Sequence, residues 1–177
     1  SNLKPVTIKL HMLLALVMVF IMIVIRYRAR VISNTFEFTQ VGKRMKMVVI
    51  AGLLLTLAQI VLGTQVRQEI DMINKSLDGL SRETWIGQLS VKYNVHFLIA
   101  MLMLIVNFSI WFLLRKKIVV TATKALLSIN LMIVLSAYGA GVIMNNFGIP
   151  AYVQPVHLFL AMSLAGVQFA LLLRLKK

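Results

Sequence analysis

Residues 93–114 read YNVHFLIAMLMLIVNFSIWFLL, a run without a single charged side chain. About 20 mostly apolar residues suffice for a helix to cross the hydrocarbon core of a bilayer. Such a run is also too long, and too continuous in its apolarity, for a barrel strand. Four more stretches share the property: Pro5 to Ile25, Met47 to Val66, Ala125 to Met144 and Ala151 to Leu173. Inside a membrane every backbone amide must be satisfied within the segment itself, so each stretch is read as a helix. Composition agrees. The 177 residues are 60% hydrophobic and 14% charged, against roughly half and a quarter in soluble domains. The fold class is therefore an all-α integral membrane protein of five transmembrane helices.

The formal net charge of +14 would suggest nucleic acid in a soluble protein. Here the cations flank apolar blocks, so no nucleic-acid partner is expected and the charge is read as topology. One side holds Arg26, Arg28, Arg30, Lys43, Arg44, Lys46, Arg115, Lys116, Lys117, Lys124, Arg174, Lys176 and Lys177, with Glu37 as its one acid. The other holds Lys4, Lys9, Arg67, Lys75, Arg82 and Lys92 against Glu69, Asp71, Asp78 and Glu83. Positive-inside logic places the richer side in the cytoplasm, with the N-terminus outside and the C-terminus inside. In the longest outer connection, Arg67 to Lys92, residues Ile70, Ile73, Leu77 and Leu80 recur at helical spacing. That predicts a short amphipathic helix on the outer surface, ending near Gly79, with Trp85 at headgroup level.

The chain has no cysteine, which excludes disulfides, thiolate metal sites and thiol nucleophiles. Its three histidines all fall near the outer ends of helices one, three and five. His11 lies six residues after Pro5, His96 three after Tyr93, and His157 six after Ala151. At 1.5 Å of rise per residue they sit about 5–10 Å inside the boundary. Each has an alanine four residues on, at Ala15, Ala100 and Ala161. That alanine lies on the same helix face and lets a flat macrocycle approach. A lone histidine near a helix end is often a plain interfacial side chain; three at one depth point to a ligand role, because ionisable groups in the membrane are costly. No HExxH motif and no acid within a span support a zinc or carboxylate site. Two imidazoles from facing helices suit a six-coordinate haem.

Helices two and four carry small residues near their outer ends, Gly63 in one and Ala137 and Gly141 in the other. Close helix packing and room for a porphyrin edge are both open readings of them. The unit of a glycine helix followed by a histidine helix occurs twice, so the last four helices are expected to form one antiparallel bundle, with His96 and His157 as its pair. Residues 1–46 would be the last helix of a truncated N-terminal bundle with its cytoplasmic loop, and 47–177 the C-terminal haem-binding bundle. The opening Ser-Asn-Leu-Lys-Pro suggests a piece of a longer protein.

These residues resemble the C-terminal half of heme A synthase along essentially the whole chain. The segments that carry the likeness are Leu10-His11-Met-Leu-Leu-Ala15, Gly42-Lys-Arg-Met45, Gly63-Thr-Gln-Val-Arg67, His96, and Gly148-Ile-Pro-Ala-Tyr-Val-Gln-Pro-Val-His157. The resemblance implies that His96 and His157 ligate the iron of a b-type haem (heme b). It implies that His11 belongs to the binding site of the substrate, heme O, whose methyl group becomes the formyl group of heme A for terminal oxidases. The family's essential glutamate would lie in the missing half, leaving the catalytic residue unknown here and this chain alone inactive. Cysteines found in many members' outer loop are absent between Thr64 and Trp85. The implied setting is the bacterial cytoplasmic membrane, with membrane lipid and an unidentified electron donor as partners; heme O synthase and a second copy of the chain are further candidates. Arg67, at the outer end of helix two, is the first choice as a propionate partner, ahead of Lys92 and Arg82, with a lipid-headgroup-binding arginine as the equally open reading. Two rival readings are an electron-transfer cytochrome b with the same bis-histidine site and a haem-free transporter or assembly subunit.

Overall fold

The computed structural model describes residues 5–176, apart from the side chains of Pro5, Val6, Ile8 and Lys9. Lys4, Lys177 and the Lys9 side chain, all used in the charge tally, lie outside the described residues, as do the first four residues of the chain's opening. Five helices follow the five apolar blocks: α1 Pro5–Ile32, α2 Lys43–Ser76, α3 Val91–Arg115, α4 Thr121–Asn146 and α5 Val153–Arg174. All five are long and apolar enough to cross a membrane. They also leave side chains such as Ile105, Met132 and Phe159 largely exposed. Contiguous apolar surface of that kind is stable against lipid and not against water. The chain is a multi-pass membrane protein.

The last four helices close on themselves. Helix α2 packs on α3, α3 on α4, α4 on α5, and α5 back on α2, while α1 leans on α5 from outside this ring. Gly166 of α5 makes that docking close: a β-carbon there would touch Val19 at 3.4 Å and Ile23 at 3.6 Å. At the cation-rich end the bundle is filled by Val49, Ile110, Leu114, Ile118, Leu127 and Leu171. Midway, Met103, Val134 and Leu164 form a second packed layer.

A polar layer joins all four bundle helices. Asn107 Oδ1 on α3 accepts from Asn130 Nδ2 on α4 at 2.8 Å and from Gln168 Nε2 on α5 at 3.0 Å. Thr56 on α2 donates to Gln168 Oε1 at 2.8 Å. The four side chains are buried. With no water to compete, such bonds hold transmembrane helices in register.

Two outer-loop expectations need correction. The segment carrying Ile70 and Ile73 is no separate surface helix but the continuation of α2, which runs unbroken to Ser76. Between Gly63 and Ser76 there is neither proline nor glycine to stop it. It does end where expected, with Leu77 as its cap and Gly79 in the left-handed region at φ 80°. Trp85, expected among headgroups, is 1% exposed. Its indole N–H donates to the Leu80 carbonyl at 2.9 Å, and the Arg82 guanidinium lies 4.9 Å from its ring centre. Nothing in the sequence reading anticipated a short parallel pairing of β1 (Thr39–Gln40) with β2 (Leu175–Lys176), which ties the first connection to the C-terminal end.

Candidate functional site

The end of the bundle opposite the cation-rich one contains a cavity of about 320 Å³. That is within the usual range of small-molecule sites, about 300–1,000 Å³. Its floor is the Met103, Val134 and Leu164 layer, and His96 and His157 both line it. Their ring centres are 6.5 Å apart, with planes 70° to one another. An imidazole nitrogen sits about 2.0–2.1 Å from a first-row metal such as zinc, and about 1.1 Å from its own ring centre. One metal ligated from opposite sides would therefore hold two such rings about 6–6.5 Å apart. By ring-centre separation, the pair leaves room for one metal ion between the imidazoles.

Each ring is backed by a glycine of the preceding helix. A β-carbon on Gly63 of α2 would stand 3.2 Å from His96 Cε1, and one on Gly141 of α4 would stand 3.6 Å from His157 Cε1. The small residues noted in helices two and four thus make room for imidazoles, and the glycine-helix, histidine-helix unit recurs in space as well as in sequence. Ala100 and Ala161, each four residues beyond its histidine, also line the cavity.

The hydrogen bonds define what each ring can do. His157 Nδ1 lies 2.9 Å from the Ala137 carbonyl. A carbonyl can only accept, so Nδ1 carries the proton and Nε2 is left with its lone pair, as metal-ligating histidines require. His96 Nδ1 is buried without a partner. Beside it lies a residue that the sequence reading missed. Gln59 of α2 donates from Nε2 to the His96 carbonyl at 2.7 Å, while its own Oε1 is buried and unpaired. The signal was an amide flanked by apolar residues, Leu57-Ala-Gln59-Ile60, a position where polar side chains are costly.

Among the described residues no third histidine or carboxylate joins the pair into a larger metal-ligating group. Two imidazole nitrogens and an apolar cavity would suit a metal that brings its remaining ligands with it. That is the donor set of a bis-histidine haem.

Of the three propionate candidates, Arg67, Lys92 and Arg82, only Arg67 lines the cavity. Its Nε pairs with Asp71 at 3.0 Å, and its Nη1 donates to Gln154 of α5. Lys92 is paired with Glu69 at 3.0 Å, and Arg82 donates to the Ile149 carbonyl at 3.3 Å. His11 stands apart: it is exposed on α1 and does not line the cavity, although its neighbour Met12 does.

Residues 1–169 match the family model described as cytochrome oxidase assembly protein, COX15-CtaA, which is the heme A synthase family. The chain belongs to this family. No curated protein and no solved structure matches it. Membership in the COX15-CtaA family places the chain in the assembly of cytochrome oxidase.

Proposed function

We propose that the chain is the haem-holding half of a heme A synthase, with a b-type haem between His96 and His157. The observation that carries this reading is the facing pair of imidazoles, each backed by a glycine, at a spacing that accommodates one metal ion. When bound, the haem supplies a one-electron carrier between a membrane electron donor and the site where the heme O methyl is oxidised to formyl. The protein's own groups bind and orient. The Ala137 carbonyl holds the His157 tautomer, Gln59 holds the α2 and α3 backbones at His96, and Arg67 offers a cation to a propionate at the cavity mouth. Met103, Val134 and Leu164 exclude water from below.

On this reading His11 serves the heme O site, which the rest of the intact protein completes, together with the catalytic carboxylate. The bundle sits in the bacterial cytoplasmic membrane with its histidine end outward. The test is the visible spectrum of the purified chain reconstituted with haem. His96→Ala and His157→Ala each abolish the six-coordinate low-spin spectrum, while His11→Ala retains it. A low-spin spectrum that survives both substitutions would overturn the assignment. In the intact protein, reversible redox cycling without heme A formation from heme O would reduce it to an electron-transfer cytochrome.

A further inference from the structure

A second cavity of about 320 Å³ lies at the opposite, cation-rich end, in the groove between α1 and α4, both of which pack on or beside α5. Its walls are of two kinds. Ile23, Ala125 and Ile129 line an apolar side, and Arg26, Arg30 and Arg174 line the same space. Arg174 is 9% exposed, and its guanidinium lies 4.7 Å from the Phe36 ring centre. Among the described residues the ion pairs are Arg67–Asp71 and Lys92–Glu69, both at the other end of the bundle. The one acid on this face, Glu37, is exposed and makes no ion pair with these arginines, although its charge acts on Arg174.

Three arginines, one of them nearly buried, share this groove with a single exposed carboxylate, so the cluster keeps an excess of positive charge that an anion would offset. Arginine forks match phosphate oxygens in two-point contacts. The apolar wall identifies the source of that phosphate. A free anion gains nothing from Ile23, Ala125 and Ile129, whereas an acyl chain running along the bundle would cover them. Basic pockets between transmembrane helices at a cation-rich end are where anionic headgroups settle. We propose that this groove is a binding site for an anionic phospholipid, its phosphate held by Arg26, Arg30 and Arg174 and one acyl chain lying between α1 and α4. The lipid would stitch α1, which leans on the ring through α5, to the bundle.

The test uses the whole chain, delipidated in neutral detergent, with native mass spectrometry and thermal melting as readouts. Dioleoylphosphatidylglycerol, dioleoylphosphatidylcholine and inorganic phosphate are added in separate arms. The expected result is a retained phosphatidylglycerol adduct and a raised melting midpoint that neither other arm reproduces. Arg26→Gln with Arg30→Gln, both at exposed side chains, weakens that adduct by roughly fivefold per arginine. Lys116→Gln with Lys117→Gln, at the same end but outside the groove, leaves it unchanged. Equal retention of the two lipids would overturn the site. So would an equal shift with inorganic phosphate, or an equal loss in the Lys116 and Lys117 control. Arg174→Gln adds the near-buried arginine; if it does not fold, the Arg26 and Arg30 pair still decides the matter.

Discussion

At the scale of single residues, the site is sensitive to volume behind the imidazoles. A methyl on Gly63 would meet His96 at 3.2 Å, tighter than most real contacts, so the ring would have to give by a few tenths of an ångström. A methyl on Gly141 would meet His157 at 3.6 Å, an ordinary van der Waals distance. Gly63→Ala is therefore expected to weaken haem retention and to broaden or shift the low-spin spectrum, and Gly141→Ala to leave both near wild type. Haem titration with the two variants in parallel checks this, and the reverse order would refute the packing argument. Arg67 gives a second test. Removing a cation from the cavity mouth makes the reduced, more negative haem less favourable, so Arg67→Ala should lower the midpoint potential in a redox titration. An unaltered potential with full occupancy would return Arg67 to its Asp71 and Gln154 contacts alone. Gln59 was legible only as an oddity, since no spacing rule says which neighbour such a glutamine will find.

At the scale of elements, the Asn107, Asn130, Gln168 and Thr56 layer decides how four similar apolar helices face one another. Asn107→Leu strands two donors, Asn130 Nδ2 and Gln168 Nε2, in a buried place. Interhelical hydrogen bonds in membranes contribute about 0.6–2 kcal/mol each, so this change should cost about 1–3 kcal/mol in reversible unfolding from mixed micelles. Replacing Asn107, Asn130 and Gln168 together by leucine leaves no stranded donor on α4 or α5 and should recover part of the loss. A triple variant that is worse than the single one would show that the layer contributes packing shape rather than polarity. The helices themselves were readable from apolar length. That the outer segment belongs to α2 was not, because polar residues such as Arg67, Gln68 and Glu69 continue a helix as readily as they would begin a loop. The expected surface helix and the interfacial Trp85 both failed for that reason. A helix without a breaker extends, and the loop beyond it folds back far enough to bury an indole.

At the scale of the molecule, charge asymmetry predicts orientation. The native chain has no cysteine, so single cysteines report cleanly. Gly87→Cys, exposed and with nothing within 4 Å of its β-carbon, should react with a membrane-impermeant maleimide from the periplasmic face of intact cells. Lys117→Cys should react only after permeabilisation. Labelling of both from one side would refute the five-span reading, and exchanged labelling would refute the assigned orientation.

Hydrophobic run length, the distribution of lysine and arginine, and the recurrence of histidine with an alanine one turn on were enough to place five spans and single out three imidazoles. These are local properties, set by what a backbone segment requires of a bilayer. Which imidazoles meet is a different matter. His96 and His157 lie 61 positions apart, and only the closing of α5 onto α2 and α4 brings their rings to 6.5 Å while leaving His11 exposed outside. The docking of α1 on α5 likewise gathered Arg26, Arg30 and Arg174 around one groove. Pairing of that kind depends on the order of helices around the bundle, and helix order is decided by side chains interlocking across interfaces that no single segment contains.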